Sequence, residues 1–202
     1  MNQEVLDRLI EAEGGYKYIQ IKDDKGGRTF AGISHRSNPD WIGWAYLDSC
    51  KPNNPVPVDS IKKLKPLVKK LYDEKYWVKA NLSSAVFTGK DYSELNDLKE
   101  MLFHISVLSG PRVAIYCLQN AIGVRPDGIW GERTMAALQS EISYFERQRD
   151  NGNYIANNDN LECIQRGVAL NVINRFVRIV DNDSTQAKFL KGWIKRSLNL
   201  VG

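Results

Sequence analysis

Glycine and proline cut this chain into short amphipathic stretches, and that punctuation constrains the fold more than any other feature of the sequence. Val5, Leu6, Leu9 and Ile10 recur at helical spacing, with Asn2 placed to cap the start and Gly14-Gly15 to end the stretch. Leu98, Leu102 and Ile105 form a second stripe that stops at Gly110. Val113, Leu118 and Ala121 follow Pro111 and stop at Gly123. Leu67, Val68, Leu71 and Tyr72 follow Pro66, which reads as the first turn of another helix. A short helix is expected over 41–49 within an otherwise irregular stretch, with longer ones over 132–149, 161–180 and 187–198. One place reads differently. "YKYIQIK" alternates weakly, "DDKGG" is a turn and "RTFAGI" a return strand, so a hairpin is expected there. The fold class that follows is mainly α with one small β hairpin.

A chain of 202 residues with 43% hydrophobic and 26% charged side chains can bury a substantial core, as one domain or one domain with an appended module. The first residues, "MNQEVLDRLIEAEGG", lack both a basic n-region and an uninterrupted apolar h-region, so they do not read as a standard signal peptide. The expectation is synthesis in the cytoplasm and action in the periplasm or cell wall after release or export by a separate route. No apolar run approaches the length of a membrane span, so membrane insertion is not expected. Net charge is +4, with basic runs at 62–79 and 188–196 that suit either solvated helix faces or weak attraction to a polyanion. Cys50, Cys117 and Cys163 are far apart, odd in number and without a CxxC partner, and are expected to be free and mostly buried. No HExxH or glycine-rich phosphate motif is present, so no metal or other cofactor is expected.

The residues that carry chemistry lie in "EAEGGYKYIQIKDDKGGRTFAGIS". A carboxylic acid donates a proton at neutral pH only if its proton affinity is raised. The negative end of a helix dipole and an apolar wall both act in that direction. Glu13 is expected at such a helix end, with Gly14 and Gly15 leaving room for a bulky substrate. Asp23 or Asp24, across the hairpin, can stay ionised and position water, and the Thr29 hydroxyl can help to hold that water. Two carboxyl groups in unlike environments are what glycoside hydrolysis requires. A Cys-His peptidase would have to draw on Cys50 with His35 or His104, but no local signature surrounds Cys50.

Taken in order, "EGGY", "DDKGGRTFAGIS", "YDEKYW", "LSGPRVAIYCLQNAIGVRPDGIWGERTMAAL" and "FLKGWIKR" resemble the N-acetylmuramidases of glycoside hydrolase family 108. This family of phage endolysins and bacterial wall hydrolases is often named for secretion activation. The resemblance implies a lysozyme-like α+β fold and cleavage of the β-1,4 bond between N-acetylmuramic acid and N-acetylglucosamine. It gives Glu13 the role of catalytic acid. The family acid before "xGGxT" corresponds to Asp24, while Asp23 stands at the aspartate-to-threonine spacing of related phage-type lysozymes, and Thr29 suits either. Gly14, Gly15, Tyr16, Gly27 and His35 are the expected substrate-binding residues of this region.

"LQNAIGVRPDGIWGERTMAAL" also resembles a peptidoglycan-binding repeat, with Leu118, Gln119, Asp127, Gly128, Gly131 and Thr134 at matching positions. Trp130 in its loop can stack on a sugar or pack inward. The implied organisation is a catalytic lobe over 1–109 and a helical peptidoglycan-binding lobe over 110–202, joined as one integrated unit. The implied partner is the peptidoglycan glycan strand, bound by a monomer and not by way of nucleic acid. Two departures stand out. Where many members read "FDxxVNxG", this chain has Phe103, His104, Val107, Leu108 and Gly110, so the usual Asp is His104 and the usual Asn is Leu108. These two positions favour the alternative of a non-catalytic wall-binding or secretion-accessory protein on the same scaffold. Because the cysteine spacing gives no framework, melting curves taken with and without reductant should coincide; a large drop under reduction would show a required bridge.

Overall fold

The computed structural model describes residues 1–20, 27–50, 55–89, 92–151 and 159–198. The chain divides into two compact units, Met1–Lys75 and Tyr76–Gly202. Among the described residues the architecture is mainly α with one small antiparallel sheet, as the punctuation implies.

The first unit opens with helix α1 (Gln3–Ala12), capped by the Asn2 side chain, which accepts from the Glu4 N–H at 3.2 Å. Strands β1 (Tyr18–Ile19), β2 (Thr29–Phe30) and β3 (Ile33–Ser34) follow, in the order β1-β2-β3. The expected hairpin is therefore the first half of a three-stranded meander. Its second turn, Ala31-Gly32, has φ of 47° and 76°, the left-handed pair that a two-residue hairpin loop needs. The sequence gives Ala at the first of these positions, so the usual Asn-Gly signal is missing. Tertiary contact supplies the reason: Tyr72 donates its hydroxyl to the Ala31 carbonyl at 3.0 Å, and a Cβ on Gly32 would meet that same oxygen at 2.7 Å.

Helices α2 (Gly43–Cys50) and α3 (Val58–Tyr72) complete this unit with a π-helical turn at Asp73–Trp77, which leads into the second. Helix α3 starts well before Pro66, which lies inside it, so reading Pro66 as the first turn is corrected. Leu64, Val68 and Tyr72 are buried at four-residue spacing on both sides of the proline, while Pro66 itself faces solvent. Burial of that stripe holds the helix together through a position where proline removes one helical hydrogen bond. Around it, Leu6, Leu9 and Ile10 of α1 join Phe30, Trp41, Trp44 and Leu47 in the core. Trp41 stacks on Phe30 and meets Trp44 edge-on, with centroids 6.1 and 5.0 Å apart. Of the lysines in α3, Lys65 and Lys69 pair with Asp7 and Asp73 at 2.9 and 2.7 Å, which suits a solvated, ion-paired helix face.

The second unit is built on α4 (Ser93–Ser109), α5 (Pro111–Ala121) and α7 (Asp159–Asn182), with α6 (Glu132–Asp150) and α8 (Ala187–Leu198) packed on α7. Leu98, Leu102 and Ile105 face Ala114, Ile115 and Leu118 in one core with Val168 and Val172. Close approach of α5 and α7 needs Gly167, where a Cβ would lie 3.1 Å from the Ala121 methyl. Helix α4 thus belongs to the second compact unit, although the sequence assigns residues up to 109 to the first lobe. Cys117 is buried, which pushes its thiol up to about 12, whereas Cys50 and Cys163 are exposed. The expectation that the three are mostly buried is therefore corrected for Cys50, at the end of α2, and for Cys163, which falls on the outer face of α7 while Leu161 and Ile164 take its inner face.

The Asp-Gly turn between α5 and α6 is organised by one buried amide. Gln119 Nε2 donates to Asp127 Oδ1, the Ile129 carbonyl and Thr134 Oγ1 at 2.9, 3.0 and 2.9 Å. Its Oε1 accepts from the N–H groups of Asp127 and Gly128 at 2.9 and 2.8 Å. Hydrogen bonds from Gln119 and from the Ile129 N–H hold the Asp127 carboxyl below its usual range. Gly128 has φ of 71°, and a Cβ there would press on Arg112 Cγ at 2.5 Å. Gln119→Leu fills the same space but leaves two backbone N–H groups without an acceptor. It should lower stability by about 3 kcal/mol, read from denaturant unfolding.

Candidate active site

Glu13 is the C-cap of α1, with φ −88° and ψ 7°, and its side chain is exposed. The helix ends in a six-to-one closure: the Gly15 N–H donates to the Ile10 carbonyl at 2.8 Å. Gly14 and Gly15 have φ of 106° and 86°, and a Cβ on either would meet nothing within 4 Å. The two glycines therefore make the turn and leave open space immediately after the carboxylate. From there the Lys17 N–H donates to the Gly15 carbonyl at 2.9 Å, and the Lys17 carbonyl accepts from the Ala31 N–H at 3.2 Å. The helix end is thereby tied to the sheet.

Thr29 is half-buried in the central strand, opposite Ile19 on one side and Ser34 on the other. Gly27 is exposed with φ of 70°, where the chain turns into β2. Asp23 and Asp24 fall in the connection between β1 and β2 and lie outside the described residues. Of the four catalytic candidates, the structure describes Glu13 and Thr29, both in the first unit. Trp130 belongs to the second unit, where it is half-buried against Phe87 at 6.0 Å between ring centroids.

Tyr16, expected to touch substrate, has its hydroxyl committed inside the protein. It donates to Asp7 Oδ1 at 2.7 Å, and Lys65 and Gln3 donate to the same carboxylate at 2.9 and 3.0 Å. Lys65 also sits over the Tyr16 ring at 5.1 Å. Burial and the bond to Asp7 hold the Tyr16 hydroxyl far above its usual range. For Asp7, burial pushes the carboxyl up, but the bonds from Tyr16, Lys65 and Gln3 with the Lys65 charge outweigh it, and the net direction is down.

His35 is half-buried and belongs to a cluster that local spacing does not reveal. Its ring meets Trp44 edge-on at 5.2 Å, and the His35 backbone N–H donates to the Arg28 carbonyl at 2.9 Å. Arg28 lies over the Trp44 ring at 4.9 Å and makes a two-armed ion pair with Asp48. The Arg28 guanidinium holds the Asp48 carboxyl below its usual range. Trp44 is fixed in turn by its indole N–H on the Asn38 carbonyl at 2.7 Å, and Lys75 donates to Asn38 Oδ1 at 2.8 Å. This ring-and-guanidinium surface borders β2 and β3, and its only hint in the sequence was that Arg28 directly precedes Thr29. His104 and Leu108 are half-buried on α4, with His104 Nε2 3.8 Å from Glu100 Oε1. No group of three or more His, Cys, Asp or Glu residues able to hold a metal occurs among the described residues.

Residues 6–109 match the family described as glycosyl hydrolase 108, which starts within α1 and takes in Glu13, the sheet and α2 to α4. The chain belongs to the glycosyl hydrolase 108 family. Residues 113–198 match a second description, "predicted peptidoglycan domain", so this family member carries a peptidoglycan-related region beside its hydrolase region. No curated protein matches the chain. Among solved structures, Brucella abortus SagA is similar, with a TM-score of 0.54 and 21% identity over 98% of this chain and 90% of that one. That likeness concerns the fold, which for this glycosyl hydrolase 108 member is mainly α and lysozyme-like with its small sheet. No helix among the described residues is long and apolar enough to cross a membrane.

The Asp7 cluster has a pH signature. A carboxyl whose folded value lies below its unfolded one contributes stability above the unfolded value, near 3.8, and loses it as pH falls through the folded value. Asp7→Asn should therefore lower the melting temperature at neutral pH and flatten its decline below about pH 4. An unchanged acid limb in the variant would show that Asp7 is not part of it.

Proposed function

We propose that the chain is an N-acetylmuramidase that hydrolyses the β-1,4 bond between N-acetylmuramic acid and N-acetylglucosamine in peptidoglycan, with Glu13 as the catalytic acid. The observation that carries this reading is a carboxylate at a helix C-cap followed by two left-handed glycines with open space beyond their Cα atoms. A glycan strand laid over those glycines can approach the carboxyl with no neighbouring side chain in the way. A pure binder has no physical need for an acid at such a place.

In the proposed reaction Glu13 gives its proton to the glycosidic oxygen as the bond to the anomeric carbon breaks. Asp24, or Asp23 beside it, takes a proton from the water that attacks the opposite face, and Thr29 helps to hold that water. The reaction proposed is single displacement with inversion, which needs roughly 6.5–9.5 Å between the carboxyl groups to make room for that water. Residues 1–109 act as the catalytic region and 110–202 as the wall-binding region of a monomer working in the cell wall after release or export. Tyr16 serves to position the segment after Glu13. His35 lines the cleft through its contact with Trp44.

Glu13→Gln keeps the shape and removes the proton donor. It should cut the lysis rate of purified peptidoglycan by about 10²–10⁴-fold, and of Asp23→Asn and Asp24→Asn one should be strongly impaired. Product analysis should show reducing muramic acid ends of inverted configuration. Lysis at the wild-type rate by Glu13→Gln would overturn the assignment. A wild type that binds peptidoglycan without cleaving it would favour the non-catalytic reading to which His104 and Leu108 point.

A further inference from the structure

In the second unit, α5 and α7 bury one face each against the core and leave a groove of about 560 Å³ between their outer faces. Helix α5 contributes Arg112, Tyr116 and Asn120 at four-residue spacing. Helix α7 contributes Asn174, Arg175 and Arg178 within a little over one turn, so each helix presents a single polar stripe. Three guanidinium groups line this groove and no carboxylate does.

The ordinary solution for an exposed helix arginine is visible on the same helix, where Arg166 pairs with Glu162 at 2.9 Å. Arg175, Arg178 and Asn174 are exposed, and among the described residues their side chains make no hydrogen bond or ion pair. Arg112 is oriented by two bonds from its guanidinium to the Asp127 carbonyl at 3.3 and 3.1 Å. Like charges gathered without a counter-charge repel one another, and an anionic ligand removes that cost. The volume lies within the range of organic ligand sites of roughly 300–1,000 Å³ and exceeds the need of a single small ion. Side-chain amides both donate and accept, which matches peptide groups, and a planar guanidinium matches a carboxylate.

We infer that the α5–α7 groove binds the carboxylate-bearing peptide stem of peptidoglycan, with the arginines on its carboxylates and the asparagines on its peptide groups. This rests on the reading above that peptidoglycan is the substrate, and it moves the centre of wall recognition from the loop around Trp130 to the outer faces of two helices. The uncharged sugars of a glycan strand would leave all three guanidinium groups without a counter-charge, and those of Arg175 and Arg178 without an anionic acceptor.

The test uses the full chain carrying Glu13→Gln and titration calorimetry with a synthetic tetrapeptide stem. Parallel arms are the same peptide with its carboxylates amidated, a glycerol-phosphate polymer and a chitin oligosaccharide. The free peptide should bind, and its affinity should fall with added salt. Amidation should weaken binding at least about tenfold, as should Arg175→Gln with Arg178→Gln at an unchanged melting temperature. Lysine at both positions should restore part of the loss. Absence of peptide binding, equal binding of the amidated peptide or of the glutamine variant, or tighter binding of the polymer or the chitin oligosaccharide would each overturn the inference. Wild-type protein that fails to cleave peptidoglycan while these results hold would sink the muramidase reading alone. Cleavage that depends on Glu13, with stem binding indifferent to Arg175 and Arg178, would sink the groove alone.

Discussion

The carboxylate of Asp7 is the interaction on which the first unit turns. It lies on α1, accepts from Tyr16 in the segment that follows Glu13, and pairs with Lys65 of α3. A chain that has just passed two glycines is free to leave a helix in many directions. The Tyr16 hydroxyl selects one of them, and Lys65 over the Tyr16 ring fixes it from the other side. The segment that leaves the helix end beside Glu13 is thus held by Asp7, and the Ala31 N–H on the Lys17 carbonyl carries the tie on to the sheet with Thr29.

A similar division of labour holds in the second unit. Gln119 uses both donor hydrogens and its carbonyl oxygen inside the turn that joins α5 to α6, so the turn is set by one buried amide rather than by its own sequence alone. The residues by which a peptidoglycan-binding repeat is recognised, Gln119, Asp127, Gly128 and Thr134, are thus bonded to one another or packed. Their pattern reports how the turn is built. Helix α7 divides its faces in the same way, burying Val168, Val172 and Phe176 on one side while presenting arginine and asparagine on another.

Much of this could be read in advance, for identifiable reasons. Gly14, Gly15, Gly27 and Gly128 all adopt positive φ, so glycine marked the turns where the backbone needed it. The stripes of α4 and α5 are legible because burial on one face imposes a period of 3.6 on the sequence. Two local rules misled. Pro66 looked like a helix start because proline is preferred in a first turn, yet a stripe buried on both sides of it outweighs the lost hydrogen bond. Ala31 concealed a hairpin turn because its left-handed conformation is supported by Tyr72, forty-one residues away. The bond from the Tyr16 hydroxyl to Asp7 was likewise hidden from local reading, because its two partners lie on separate segments.

By itself the sequence determined the mainly α class, the ends of most helices, the family, and the acid at the end of α1. Each of these depends on residue type at a local spacing. Only the tertiary structure decided which polar residues are bonded within the fold and which stay exposed. Asp7, Tyr16 and Gln119 are bonded, the Arg28–Trp44–His35 surface is assembled from separate elements, and the arginines of α7 face a groove shared with α5. The physical reason is that a side chain's availability depends on its partners, and hydrogen bonds and ion pairs join residues that are near in space without regard to their separation along the chain.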